Sequence, residues 1–374
     1  MDRIFHTPEG VRDIINEECA RKKILQNTIA EVFHRYGYMD IETPSFEYFE
    51  VFSREVGTIP SRDLYKFFDR EGNTLALRPD FTPSVSRACA VSYEPGEKPV
   101  SLCYTGNTFI NASGLQGRLK ETTQMGVEHI GEDSAESDAE ILAMVVESLL
   151  AAGLKEFQVS VGEVNYFKSL IRSSGISAET EMRLRELVSQ KNEFGVEELV
   201  REQNIPEKVA GAFVSLPQLF GSVEILERAA SLTEDSGALN ALTRLGEIYE
   251  ILKIYGYEKY VSFDLAMLSK YQYYTGIIFQ AYTYGTGEPV VKGGRYNELM
   301  KHFGKPAASI GFAIVIDSLM AAFQRQKIEL PAPPAAEEIL YHKDEREKAV
   351  LKAQKLRKEG KAVRLVLIKE ESEK

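Results

Sequence analysis

Cysteine is scarce in this sequence: Cys19, Cys89 and Cys103 are the three found in 374 residues. Their spacing fits neither a disulfide framework nor a zinc pattern, and each falls in a segment that reads as helix or strand, so plain reduced thiols are expected. Cations are also in deficit, with 45 Lys and Arg against 56 Asp and Glu and a formal net charge of -11. Neutralising phosphates supplies most of the affinity of polyanion binders, so this balance argues against a dedicated nucleic-acid binder. No apolar run approaches the roughly 20 residues that span a bilayer, so no membrane association is expected. The opening MDRIFHTPEGVRDI has no signal-type apolar core, which points to the cytoplasm. His34 and His129 have no partner at a metal-ligand spacing and read as structural histidines, so neither a metal nor a cofactor is expected. Internal repeats and low-complexity tracts are absent as well.

What is present reads as a globular chain of more than one domain, or one large domain with appendages. Leu25, Ile29, Val32, Phe33 and Tyr36 recur at three- and four-residue spacings, which predicts an amphipathic helix ending at Gly37. From Met39 to about Tyr104 the pattern shifts to short β-type pieces separated by Gly, Pro and Asn. A helix is expected over Ala139 to Ala152, followed by the strand FQVSVGEV. Residues 166 to 255 read as almost wholly helical, with breaks near Gly195, Pro206 and Pro217. Strands return at 261 to 292, and IGFAIVIDSLMAAF reads as a glycine-led helix. The Pro-rich stretch LPAPPAA at 330 to 336 predicts a linker. The remainder, 337 to 374, reads as a small β-α-β segment.

Six stretches then occur in order: TPEGVRDI, YGYMDIETPSFE, LALRPDFTPSVSR, GRLKETTQMGVEHIG, YYTGIIFQ and GGRYNELMKHFG. Together they make residues 1–329 resemble the catalytic domain of histidyl-tRNA synthetase, a class II aminoacyl-tRNA synthetase. The resemblance implies an α+β fold, a mostly antiparallel sheet flanked by helices, with the helical stretch as an insertion. It also implies a homodimer built partly through YGYMDIETPSFE. A full anticodon-binding domain is not expected in the short β-α-β piece at the C-terminal end.

Adenylate formation brings a carboxylate against the α-phosphate of ATP, so such a site needs cations fixed on the transferring phosphoryl group. Carried over residue by residue, the resemblance puts Ile110, Ser269 and Ser318 where the family has catalytic arginines, with Asp317 beside Ser318. Loss of one such arginine removes about 10³ to 10⁵ in rate, so no adenylation activity is expected. The amino-acid side of the family's pocket matches Asp80, Thr82, Gln124, Glu128, Tyr273 and Tyr274. Carboxylates, amides and phenols of this kind hold an ammonium group and an imidazole N–H. Taken singly, each reads as ordinary: the tyrosines as packing residues, Asp80 as a turn or cap, Gln124 and Glu128 as one face of a strand. Their joint occurrence in family order is what singles them out. Gly293 and Gly294 are read as a tight turn before a helix.

A synthetase-like body without adenylation arginines or an anticodon reader is similar to the family of histidyl-tRNA synthetase paralogues that serve as regulatory subunits of short-form ATP phosphoribosyltransferase. That likeness implies a non-catalytic chain that activates the short catalytic subunit in a hetero-octamer and mediates histidine feedback at the first step of histidine biosynthesis. Two other readings stand beside it: an active amino-acid ligase, and a synthetase-derived module that senses tRNA.

Overall fold

The computed structural model describes residues 3–53, 59–94, 98–111, 119–268 and 274–368. The chain divides into a large unit, Met1–Asp13 with Leu25–Glu329, and a small one, Ile14–Ile24 with Leu330–Lys374. Helix α1 (Asn16–Arg35) crosses from one to the other in sequence, and in the large unit it buries Leu25, Ile29, Val32 and Phe33. The chain then reverses at Gly37, whose φ of 82° suits a residue without a Cβ.

Nine strands make the main sheet: β1 (Met39–Asp40), β5 (Val100–Phe109), β6 (Glu121–Ile130), β7 (Phe157–Glu163), β8 (Phe220–Gly221), β9 (Val261–Asp264), β10 (Ile277–Thr283), β11 (Val291–Arg295) and β12 (Ser309–Val315). Their order across the sheet is β1-β5-β6-β12-β11-β10-β7-β9-β8. Among the described residues of this sheet, the β1–β5 and β7–β9 pairs are parallel and the other pairs antiparallel. Three short strands, β2 (Phe46–Tyr48), β3 (Lys66–Phe68) and β4 (Thr74–Leu77), form a separate antiparallel sheet. The architecture is thus the α+β, mostly antiparallel one that the motifs imply.

Residues alternate between the faces of a strand. One face of the central strands meets α1 and α3 (Ala135–Ala151), where Phe33 packs edge-on against Phe312 with ring centroids 5.7 Å apart. The other face meets α2 (Thr82–Ser92) and α10 (Leu299–His302) through Phe81, Val85, Cys89, Leu102, Tyr104 and Met300. Helix α2 lies inside the segment expected to be β-type, and this is a correction. Its run TPSVSRACAVS buries Pro83, Ser84, Val85, Ser86, Cys89 and Ala90, so small residues rather than a periodic apolar stripe let it sit close to the sheet.

The expected glycine-led helix at IGFAIVIDSLMAAF is two elements, strand β12 and helix α11 (Ile316–Gln326). A continuous apolar run does not distinguish a buried strand from a buried helix. Gly293 and Gly294 lie within β11 rather than in a turn. Between β7 and β9 the chain is helical: α4 (Val164–Ser174), α5 (Ala178–Ser189), α6 (Glu193–Glu202), α7 (Glu207–Ser215), α8 (Glu224–Ala230) and α9 (Ser236–Tyr255), with the two-residue β8 inserted. Pro206 caps α7 and Pro217 falls in a single 3-10 turn, while Gly195 is tolerated within α6. In the small unit, β13 (Glu337–Tyr341) and β14 (Val363–Leu367) pair in parallel, joined by α12 (Arg346–Lys358) over Ile339, Ala349 and Ala353.

Candidate ligand-binding site

The strand register builds the site. On the face that α2 covers, Leu102, Tyr104 and Gly106 of β5 stand opposite Glu128, Gly126 and Gln124 of β6. Glu128 in turn faces Gly311 of β12, and Gly311 faces Gly294 of β11. Four of these residues are glycines, and around three of them the space is filled by the site's own side chains. A Cβ on Gly311 would overlap Glu128 Oε2, and one on Gly126 would overlap the Tyr104 hydroxyl. A Cβ on Gly294 would come within 2.6 Å of Tyr274 Cε1.

Glu128 is 1% exposed. The Thr82 hydroxyl, from the first turn of α2, donates to its Oε1 at 2.7 Å, and the Tyr296 hydroxyl donates to Oε2 in a short hydrogen bond. The Asp80 carboxylate accepts from Thr82 N at 3.4 Å. Burial pushes the Glu128 carboxyl up to about 8; hydrogen bonds from Tyr296 and Thr82 oppose that shift, and the Asp80 charge adds to it. The pocket thus keeps a carboxyl poised between its neutral and charged forms near pH 7. A cation arriving there would stabilise the charged form.

Two polar atoms complete the floor without protein partners. The Tyr104 hydroxyl and Gln124 Oε1 are buried, and neither has a hydrogen-bond partner among the described residues. Buried polar groups in native structures are normally paired, so two orphans on one sheet face make this a candidate place for a ligand. The Tyr104 ring stacks on Phe81 at 4.2 Å, which fixes its direction, and burial together with Glu128, Asp80 and Tyr274 holds its hydroxyl neutral. Tyr274 is anchored through its carbonyl, which accepts from Lys168 Nζ at 2.9 Å.

Asp80 and Thr82 therefore lie beside the Glu128 carboxyl, the Tyr274 ring lies against Gly294 of β11, and Gln124 lies on the same sheet face. Tyr273 and Ser269 fall outside the described residues. Tyr104 and Tyr296 were not singled out from the sequence. Tyr296 follows two glycines read as a turn, and only the in-register approach of β11 and β12 shows that it points at Glu128. Tyr104 shares its strand phase with Gly106, a signal visible only once β5 and β6 are paired.

Among the described residues, Arg78 and Arg295 are engaged elsewhere. Arg78 donates to the carbonyls of Asn107 and Thr43, each at 2.8 Å, and lies 4.0 Å over the Phe81 ring. Arg295 grips Asp138 Oδ1 through Nε and Nη2 at 2.9 and 2.7 Å, and Arg244 reaches Asp138 Oδ2 at 2.8 Å. Ile110 is half-buried, its N–H donating to Lys120 O at 2.8 Å. Asp317 accepts the backbone N–H of Thr123 at 2.6 Å, tying α11 to β6 beside Ser318. His129 pairs with Ser101 at 2.9 Å and Glu132 at 3.3 Å.

The fold and this pocket define the class: residues 10–319 match the model of the histidyl-tRNA synthetase family. A solved structure from Bacillus halodurans C, described as an ATP phosphoribosyltransferase regulatory subunit/histidyl-tRNA synthetase, is 34% identical and superposes with a TM-score of 0.89 over 98% of this chain and 93% of that one. An ATP phosphoribosyltransferase regulatory subunit of Acetivibrio thermocellus is 40% identical over 96% of this chain and 86% of the relative. One from Caldanaerobacter subterraneus subsp. tengcongensis is 38% identical over 98% and 95%. The chain belongs to the family of ATP phosphoribosyltransferase regulatory subunits.

Proposed function

We propose that this chain is a non-catalytic subunit that switches on a short-form ATP phosphoribosyltransferase, and that the pocket around Glu128 is where it senses histidine. Membership of the family supports the first part. The observation that carries the second is the buried Glu128 carboxyl, ringed by Asp80, Thr82 and Tyr296 on a sheet face that also holds the unpaired Gln124 Oε1 and Tyr104 hydroxyl. Histidine offers an ammonium group and an imidazole N–H to those acceptors. Such charge-assisted bonds are roughly twice as strong as neutral ones.

The other half of a synthetase site has no comparable support. Isoleucine at 110 and serine at 318 cannot neutralise a transferring phosphoryl group, and Arg78 and Arg295 are held by other partners. Adenylation is therefore not part of the proposed function, and the family comparisons favour neither the ligase reading nor the tRNA-sensing one. The acidic balance agrees with a chain that takes no nucleic acid as partner. Among the described residues, no helix is long and apolar enough to cross a membrane, and we place the chain in the cytoplasm with its enzyme.

The proposed assembly is a homodimer within a hetero-octamer. Met39 and Phe46, exposed in the segment expected to form the dimer, with Tyr48 exposed just beyond it, support it as an apolar surface awaiting cover. Feedback requires histidine to bind the activating and silent conformations unequally, because equal affinity shifts nothing.

Reconstitution tests the whole reading. Purified chain added to a short-form ATP phosphoribosyltransferase should raise its turnover, and histidine should lower it again. Calorimetry should show histidine binding lost in Glu128→Ala and weakened in Tyr274→Phe. Unchanged binding in both variants would remove the pocket as the sensor while leaving activation intact.

A further inference from the structure

A second cluster of chemistry-bearing side chains lies on the opposite face of the sheet from Glu128. Three elements converge on it. His34 stands in the last turn of α1, the chain reverses at Gly37, and β1 then runs parallel to β5 with Asp40 directly beside Cys103. His34 Nε2 is 3.1 Å from Asp40 Oδ2, and Cys103 Sγ donates to Asp40 Oδ1 at 3.5 Å. The three ligand atoms all lie within 4.8 Å of one another.

Those separations bring one donor atom from each of the three residues close to a single point. A tetrahedral ion with bonds of about 2.0–2.3 Å holds its donor atoms about 3.3–3.8 Å apart. The two contacts measured run to the two oxygens of Asp40, at 3.1 and 3.5 Å, so an ion would take the place that this carboxylate now bridges. We propose that His34, Asp40 and Cys103 form a binding site for a divalent transition ion of the zinc type, with a fourth position open to water.

The donor set selects the ion. An imidazole nitrogen, a carboxylate oxygen and a thiolate sulfur suit borderline to soft metals, whereas calcium and magnesium require mostly oxygen ligands. Cys103 is 1% exposed and forms the base, while the side chains of His34 and Asp40 are 47% and 75% exposed and form the rim. Binding replaces one hydrogen with one metal bond: the thiol S–H gives its proton to solvent, the sulfur keeps the electron pair and donates it to the ion, and no electron is transferred. The ion would tie the end of α1 and the edge strand β1 to β5.

The test uses the full, untagged chain stripped of metal by a chelator and titrated with Co²⁺. One equivalent should give a sulfur-to-cobalt charge-transfer band and the intense visible bands of a four-coordinate ion, both removed by added Zn²⁺. Cys103→Ser should lose the charge-transfer band, while Cys19→Ser should keep it. Because Cys103 is buried, the rim variants keep the test decisive if its substitution unfolds the chain. Asp40→Asn and His34→Gln should each weaken Zn²⁺, read by competition with a chromophoric chelator, by at least the ~10–100-fold that follows loss of a hydrogen-bond partner to a metal ligand. Absence of stoichiometric Co²⁺ binding by the parent would overturn the proposal, as would undiminished binding by both rim variants.

Discussion

Replacing Glu128 with glutamine should make this protein more stable and insensitive to histidine. The Glu128 carboxyl is wholly buried, with its pKa raised from 4.5 to about 8, chiefly by burial. The folded state therefore holds a proton that the unfolded state releases at any pH between those values, and stability falls as pH rises through that window. At 1.36 kcal/mol per pH unit, the full penalty is about 5 kcal/mol, and about 3 kcal/mol of it is present at pH 7. Glutamine in the same place accepts one of the two hydroxyl bonds through its carbonyl oxygen and donates its amide N–H to the other hydroxyl oxygen, without ever carrying the charge. Urea unfolding of both proteins, without histidine, should give nearly equal stabilities at pH 4.5. By pH 8 the gap should reach several kcal/mol in favour of Glu128→Gln. Histidine should raise the midpoint of the parent alone. A gap that does not change with pH, or a parent more stable than the variant at pH 8, would refute the reasoning.

Two further outcomes follow from the packing around the pocket. Gly311→Ala forces a Cβ into Glu128 Oε2 and the Val127 carbonyl, and overpacking of that kind costs about 1–3 kcal/mol. Calorimetry should find its histidine binding lost, and parent-like affinity would show that the contact relaxes freely. Arg295→Leu leaves the 1% exposed Asp138 carboxylate facing only Arg244. Breaking a buried pair costs about 3–5 kcal/mol, with Arg244 holding the loss to the lower end, and an Arg295→Leu/Asp138→Leu double variant should recover most of it in urea unfolding.

The parts of this molecule that were legible in the sequence differ in kind from those that were not. Helix α1 announced itself through Leu25, Ile29, Val32 and Phe33, because one buried stripe against solvent leaves a period in the chain. Helix α2 left none: it is buried on several sides and built of small residues, so it resembled a loop between strands. The run from Ile310 to Phe323 was ambiguous for the opposite reason, since it is apolar on both sides of the single polar pair Asp317 and Ser318. The site residues Asp80, Thr82, Glu128 and Tyr274 were reached through family order, not periodicity. Tyr104 and Tyr296 depend on which strand lies beside which, information that resides in the pairing of β5, β6, β12 and β11 and not in any local stretch. The cluster of His34, Asp40 and Cys103 is of the same sort. His34 looked partnerless because its neighbours arrive from a chain reversal and a strand more than sixty residues away.

Gly126, Gly294 and Gly311 have a consequence for how such a pocket changes over time. Its depth is set by backbone, with Tyr104, Tyr274 and the Glu128 carboxyl resting where Cβ atoms would otherwise stand. No mutation makes a glycine smaller, so the floor can only be raised and never lowered. Substitutions that would reshape the site are therefore confined to the side chains around these glycines, such as Asp80, Thr82 and Tyr296.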